Sequence, residues 1–130
     1  GLAARLLNVT PGAMAAPERG STVAGAMFEA FVAGEIRRQL VWAETDAQLF
    51  DFRDRNGIEV DLVLEDGRRN VAGIEIKAAR TVARSEFRGL EALRDKLGDR
   101  FRLGVLLYTG NQPLPFGDRL WALPLESLWS

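Results

Sequence analysis

The sequence contains no cysteine and no histidine. Without cysteine there is no disulfide and no thiolate metal site. Without histidine, imidazole cannot act as a general base, a triad member or a zinc ligand. Histidine-based hydrolase triads and zinc hydrolases are thereby excluded. Any metal ion must sit on carboxylates, and oxygen ligands suit Mg²⁺, Mn²⁺ or Ca²⁺. No run of about 18 apolar residues is present, so no membrane-spanning helix is expected. No signal peptide is recognisable, and the expected location is cytoplasmic. Neither sign of charge dominates: 17 basic and 18 acidic residues leave a net charge of -1. The bulk charge gives no footprint for nucleic acid and leaves only a local basic face. Lysine is scarce as well; Lys77 and Lys96 are the two present, and arginine supplies the rest of the positive charge.

What remains is an ordinary globular composition, 47% apolar and 27% charged over 130 residues. That length fits one domain with a sizeable core. The first residue is Gly rather than Met, so the chain is expected to be a piece of a longer one. Residues 1–22 are rich in Ala, Gly and Pro without periodicity and read as an arm or linker. Residues 23–130 read as the domain. A first helix is expected from about Thr22 to Leu40, capped by Ser21 or Thr22, with Phe28, Phe31, Val32, Ile36 and Leu40 as its apolar stripe. Glu29 projects inside that sector. Strands are expected at Gln48–Arg53, Glu59–Glu65 and Val71–Ala78, separated by turns at Arg55-Asn56-Gly57 and Asp66-Gly67. A second helix spans Ser85–Leu97, with Ser85 as its N-cap and Gly98 ending it. Phe101–Tyr108 reads as a strand buried on both faces. Asn111–Gly117 reads as a loop, Arg119–Leu123 as a last strand and Leu125–Trp129 as a closing turn. Trp42, Trp121 and Trp129 read as core or core-edge aromatics.

The residues that can carry chemistry lie on the second and third strands. Glu75-Ile76-Lys77 puts a carboxylate and an ammonium on one side of a strand, because side chains repeat every two residues. Asp61 joins them if the hairpin register allows. Two carboxylates on adjacent strands can hold a divalent cation, and a lysine beside them can orient water or stabilise phosphate charge. The register is decisive. A two-residue turn at Asp66-Gly67 would set Asp61 opposite Ala72 and send Glu75 to the other face. An odd-length loop, or a bulge between Gly67 and Val71, is therefore expected. The Glu-x-Lys tripeptide alone is weak, since composition gives roughly 0.3 matches per chain by chance. The same three residues also read as a solvated cross-strand ion pair.

The order α-β-β-β-α-β, with Asp61 on the second strand and Glu75-x-Lys77 on the third, resembles the PD-(D/E)XK nuclease-like superfamily. The resemblance implies an α/β fold of the restriction-endonuclease-like type, an αβββαβ core whose central mixed sheet is flanked by helices. It also implies that Asp61 and Glu75 bind Mg²⁺ or Mn²⁺, that Lys77 assists the attacking water, and that Glu29 is the first-helix acid joining the metal site. Val60 stands where that superfamily has Pro before the Asp. Several motifs together resemble one prokaryotic family more closely. They are Phe28-Glu29-Ala30-Phe31-Val32, Phe52-Arg53-Asp54-Arg55, Gly57-Ile58-Glu59-Val60-Asp61, Ile74-Glu75-Ile76-Lys77-Ala78, Leu106-Leu107-Tyr108-Thr109-Gly110 and Ala122-Leu123-Pro124-Leu125. That family is a domain of unknown function that follows an AAA-type ATPase module in uncharacterised ATP-binding proteins. The likeness implies that ATP binds only in the upstream module, because this chain has no phosphate loop ending in Lys-Ser/Thr.

Two functions follow as expectations. One is Mg²⁺-dependent hydrolysis of DNA or RNA at Asp61, Glu75 and Lys77, with Arg53, Arg80 and Arg84 near the phosphate backbone. The other is a non-catalytic accessory module that binds the ATPase module or another partner and keeps the acids as structural pairs. Arg88 and Arg94 read as a solvated helix face. A Ca²⁺ module is disfavoured, because no twelve-residue loop pattern is present.

Overall fold

The computed structural model describes residues 27–28, 30–36 and 47–129. The expected arm, the helix cap at Ser21 or Thr22, Glu29, Leu40, Trp42 and the Trp129 side chain lie outside the described residues. Helical positions at 27–28 and 30–36 form α1. Strands β1 (Gln48–Arg53), β2 (Glu59–Glu65) and β3 (Val71–Ile76) follow, then α2 (Arg88–Leu97), β4 (Phe101–Tyr108), β5 (Leu114–Gly117) and β6 (Leu120–Pro124). Short 3₁₀ turns occupy Arg84–Phe87, Gly98–Arg100 and Leu125–Trp129. The strands form one mixed sheet in the order β1-β2-β3-β4-β6-β5. Pairs β1–β2, β2–β3 and β5–β6 are antiparallel, while β3–β4 and β4–β6 are parallel.

Each face of the sheet carries its own core. On one face Phe28, Val32 and Ile36 of α1 pack with Leu62, Leu64, Ile74, Ile76, Val105 and Leu107. Steps of four residues line these three side chains along one stripe. Phe31, expected in that stripe, is 52% exposed. Its position is rotated about 100° from the middle of the stripe, which puts it past the edge. On the other face Phe87, Leu90 and Leu93 pack with Val63, Phe101, Leu106, Leu120 and Ala122. The Phe87 ring stacks on Phe116 at 4.5 Å between centroids. Strand β4 is sandwiched between these cores, which is why its sequence is almost continuously apolar.

Three expectations change. The segment Asn111–Gly117 is not all loop: Leu114–Gly117 forms the edge strand β5 against β6. Its one proline, Pro115, is tolerable there because an edge strand leaves N–H positions unpaired. Ser85 does not cap an α-helix; Arg84–Phe87 is a 3₁₀ turn, and α2 begins at Arg88 with no side-chain cap bond. Strand β3 stops at Ile76. Gly98 does end α2, at a φ of 61°.

Both hairpin loops are built the same way. In Asp54–Ile58 the Asp54 N–H donates to the Ile58 carbonyl, and the Gly57 N–H donates to the Asp54 carbonyl. The Asp54 carboxylate accepts the N–H groups of Asn56 and Ile58. In Asp66–Asn70 the Asp66 N–H donates to the Asn70 carbonyl, the Arg69 N–H donates to the Asp66 carbonyl, and the Asp66 carboxylate accepts from Arg68 and Asn70. Gly57 (φ 77°) and Arg69 (φ 68°) hold the left-handed position that closes each loop. Each loop thus leaves three residues between its paired ends, an odd number. In β2–β3, Leu62 lies opposite Ile74, Val63 opposite Gly73 and Leu64 opposite Ala72.

These N–H groups hold the Asp66 carboxyl below the ordinary aspartate range; the Asn70 N–H is the strongest influence, and desolvation opposes it. A depressed folded-state pKa adds stability that is complete above the unfolded value and disappears as pH falls through the folded value. The stability gap between the native chain and Asp66→Asn is therefore expected to be constant near neutrality and to shrink below about pH 4. Urea unfolding at a series of pH values measures it. A gap that widened on acidification would contradict the loop's assigned role.

Candidate functional site

The ladder between β2 and β3 ends at Leu62 and Ile74. Extending the register by one step sets Asp61 opposite Glu75, as an odd-length loop requires. Beyond that step a carboxylate takes over from the backbone: Asp61 Oδ2 accepts the Ile76 N–H at 2.9 Å. A bulge reinforces this opening. Phe50 pairs with Val63, but Phe52 pairs with Val60, so β2 carries one extra residue there. The bulge explains how Val60 joins the α2-side core while Leu62 joins the α1-side core.

Asp61, Glu75, Ile76, Lys77, Glu86 and Leu106 line one cleft of about 220 Å³. The cleft lies at the carboxyl ends of the parallel strands β3 and β4, where open α/β sheets usually bind ligands. Lys77 is anchored by its backbone, whose N–H donates to the Leu107 carbonyl at 2.8 Å. Its side chain is exposed, and its ammonium forms no ion pair among the described residues. Glu75 lies on the α2 face. A Cβ built on Gly89 would stand 3.3 Å from Glu75 Oε1 and 2.1 Å from the Glu59 carbonyl oxygen. Only a residue without a side chain lets the first turn of α2 settle this close to β2 and to the Glu75 carboxylate.

The sequence reading missed Glu86. It sits in the 3₁₀ turn before α2, where its Oε1 accepts the Ala83 N–H at 3.4 Å. Its Oε2 is buried and has no hydrogen-bond partner. The available signal was an acid one residue before a buried Phe. The expected α-helix starting at Ser85 assigned it to a regular turn and concealed its direction.

The other expected site residues divide. Glu29 lies outside the described residues. Arg53 is not in the cleft and pairs with Glu59 at 3.3 Å. Arg80 and Arg84 do not line the cleft; they are exposed on the segment linking Lys77 to Glu86. With Lys77 and Arg88 they form a series of cations that make no ion pairs among the described residues. Arg94, expected on a solvated face, is instead half-buried, pairs with Asp95 and donates to the Asp118 carbonyl.

At the amino ends of β4 and β6 the positive charges are engaged. Arg100 pairs with Glu65, Arg102 donates to Asn70, and Arg119 pairs with Asp118 while donating to the carbonyls of Gly98 and Phe101. A larger open cavity of about 650 Å³ lies there, lined by Asp99, Phe101, Arg102, Asp118 and Arg119. The Arg119 guanidinium holds the Asp118 carboxyl below its usual range by hydrogen bonding. With Arg102, Asp118 and Arg119 engaged in these bonds, that cavity reads as architecture.

Among the described residues, no group of three or more Asp or Glu side chains is placed to hold a metal ion. Mg²⁺ does not require such a group, since it often keeps several waters and binds through one or two carboxylates plus phosphate oxygens. Asp61 and Glu75 supply two carboxylates to one cleft, the number that habit calls for.

Comparison with known families matches residues 24–128 to a domain of unknown function, DUF4143. The chain belongs to the DUF4143 family. The match covers every strand of the sheet and the whole cleft. Searches of curated proteins and of solved structures return no significant match to this DUF4143 domain. Among its described residues, no helix is long and apolar enough to cross a membrane.

Proposed function

We propose that this DUF4143 domain is a nuclease-like module of the PD-(D/E)XK type that hydrolyses phosphodiester bonds of DNA or RNA with Mg²⁺ or Mn²⁺. The observation that carries the reading is one cleft containing Asp61, Glu75 and Lys77 at the carboxyl ends of β3 and β4. The sheet order, with a helix on each face, supports a restriction-endonuclease-like fold. Asp61 and Glu75 would hold the cation, which supplies positive charge to phosphate oxygens. Lys77 presents an ammonium to the same phosphate or to the attacking water. Arg80, Arg84 and Arg88 extend positive charge away from the cleft along one segment, a suitable track for a polyanion despite the net charge of -1. Upstream, the module would follow an AAA-type ATPase, the only place where ATP binds.

The accessory-module reading has one observation in its favour: the Asp61 carboxylate already has a structural task, closing the β2–β3 ladder at Ile76. Titrating Mn²⁺ into the chain by calorimetry separates the two. The nuclease reading expects binding that Asp61→Ala abolishes and that Asp61→Asn weakens while keeping the bond to Ile76. Equal heats from all three proteins would favour the accessory module.

A further inference from the structure

We propose that Tyr108 is a positioning residue for the cationic segment that follows β3. Through the loop it closes, it fixes the backbone of Ala79 and Arg80 and sets where the Arg80 guanidinium meets a phosphate chain. The choice of ligand rests on the nucleic-acid reading above; the loop's hold on the segment does not.

The stretch Tyr108-Thr109-Gly110 runs out of β4 and is not part of the cleft lining. In the parallel β3–β4 ladder Glu75 lies opposite Leu106 and Ile76 opposite Leu107. The Lys77 N–H donates to the Leu107 carbonyl, as the ladder requires. The next bond of a regular ladder would run from the Thr109 N–H to the Lys77 carbonyl. Instead the Lys77 carbonyl accepts the Ala79 N–H at 2.9 Å, which closes a γ-turn on Ala78. The Thr109 N–H donates to the Ala79 carbonyl, also at 2.9 Å. The ladder therefore skips two residues and closes again beyond Lys77. A strand that simply frayed after Ile76 would make neither bond.

Each residue of the stretch has one part in this closure. Tyr108 is buried, and its ring belongs to the α2-side core. Its hydroxyl donates to the Gln112 carbonyl and accepts the Gln112 N–H at 3.3 Å, which closes loop 108–112 on itself. Thr109 supplies the bond to Ala79. Gly110 lets the loop lie against the segment: a Cβ there would stand 2.8 Å from the Arg80 carbonyl oxygen and 2.2 Å from the Tyr108 ring. Ala78, at the centre of the γ-turn, packs against the α1-side core. The turn and the loop are thus rooted in opposite cores. Arg80 comes directly after these fixed points, exposed and without an ion pair among the described residues. An arginine on a free loop loses backbone as well as side-chain freedom when it meets a phosphate. With the backbone held at Ala79 and abutted at Arg80, only the side chain remains to be ordered.

The test has two readouts on Tyr108→Phe, which removes the hydroxyl and keeps the ring in the core. Gln112 is exposed, so water takes over its freed groups and the fold is expected to persist. The first readout is amide hydrogen exchange with no ligand present. The N–H groups of Ala79 and Thr109 are expected to exchange roughly 3–10-fold faster, the range for losing one hydrogen bond's worth of local stability, while the Lys77 N–H is unchanged. Gly110→Ala is expected to accelerate the same two amides. The second readout is binding of a fluorescent single-stranded oligonucleotide in EDTA, where no metal-dependent cleavage occurs. Tyr108→Phe is expected to weaken binding several-fold in the native background and to have no effect in the Arg80→Ala background. Combined with Arg88→Ala, its loss is expected to add. Unchanged exchange at Ala79 and Thr109 would overturn the loop's hold on the segment. Equal losses with and without Arg80 would overturn the positioning and leave Tyr108 a structural residue. No binding by the native chain would overturn the nucleic-acid reading and the role of Arg80 with it, whatever the exchange shows, so the two failures are told apart.

Discussion

Replacing Gly89 by alanine is expected to destabilise the domain and displace Glu75 in one step. The added Cβ would lie 2.1 Å from a backbone carbonyl oxygen and 3.3 Å from Glu75 Oε1. A carbonyl in β2 cannot rotate aside as a side-chain tip can, so α2 must lift or the strand must shift. Overpacking of this kind costs about 1–3 kcal/mol. It opposes the roughly 1 kcal/mol that alanine gains over glycine from helix propensity alone. The close contact wins because neither partner is a flexible side chain. Gly34 is the matched control: it lies in α1, is exposed, and has nothing within 4 Å of its virtual Cβ. Gly34→Ala is expected to stabilise the fold by about 0.5–1 kcal/mol. Chemical denaturation of both variants checks the opposite signs. A neutral or stabilising Gly89→Ala would show that α2 does not need its close approach to Glu59.

On the proposed nuclease reading, Lys77→Met is expected to cut metal-dependent cleavage of a labelled oligonucleotide by about 10²–10³-fold, the usual consequence of removing one electrostatic group from a hydrolytic site. Its Mn²⁺ affinity should hold or rise, because a positive charge beside the carboxylates has gone. This split distinguishes a chemical role from a collapse of the cleft, which would lose both together. Lys77→Arg should not restore the rate, since a planar guanidinium does not reproduce a compact ammonium. Undiminished cleavage in Lys77→Met would remove the lysine from the mechanism.

The sheet was legible in the sequence wherever its faces were distinct. Strands β1, β2 and β4 have the expected bounds; in β2 and β4 the burial patterns agree with the composition, whereas in β1 Phe50 is exposed and Phe52 half-buried. The expected gathering of Asp61, Glu75 and Lys77 rested on parity, and the odd loop at Asp66–Asn70 supplies it. The loop's chemistry was present in the sequence: an Asp, a closing partner four residues later and a left-handed position between them. In the first loop Gly57 marks that position plainly. In the second the residue is Arg69, which gives no conformational signal. Strand β5 was obscured because Pro113 and Pro115 look like loop, and only an unpaired edge can accept Pro115. Glu86 was obscured because a 3₁₀ turn and an α-helical turn share the same residues but direct the side chain differently. Arg94 was obscured because one of its partners, the Asp118 carbonyl, is remote in sequence and is brought to α2 only by the fold.

The two matching hairpin loops impose a reading frame on the sheet. Inserting or deleting one residue in either loop shifts the pairing of the following strand by one and exchanges its faces. At Asp66–Asn70 that shift would turn Glu75 and Lys77 toward α1 while bringing Ile74 and Ile76 to the cleft side. Length changes in pairs preserve the frame. Homologous sequences that vary here should therefore differ by even numbers of residues, or carry a compensating bulge elsewhere on the hairpin. Lineages that have lost this constraint should be those in which the acids and the lysine have also drifted.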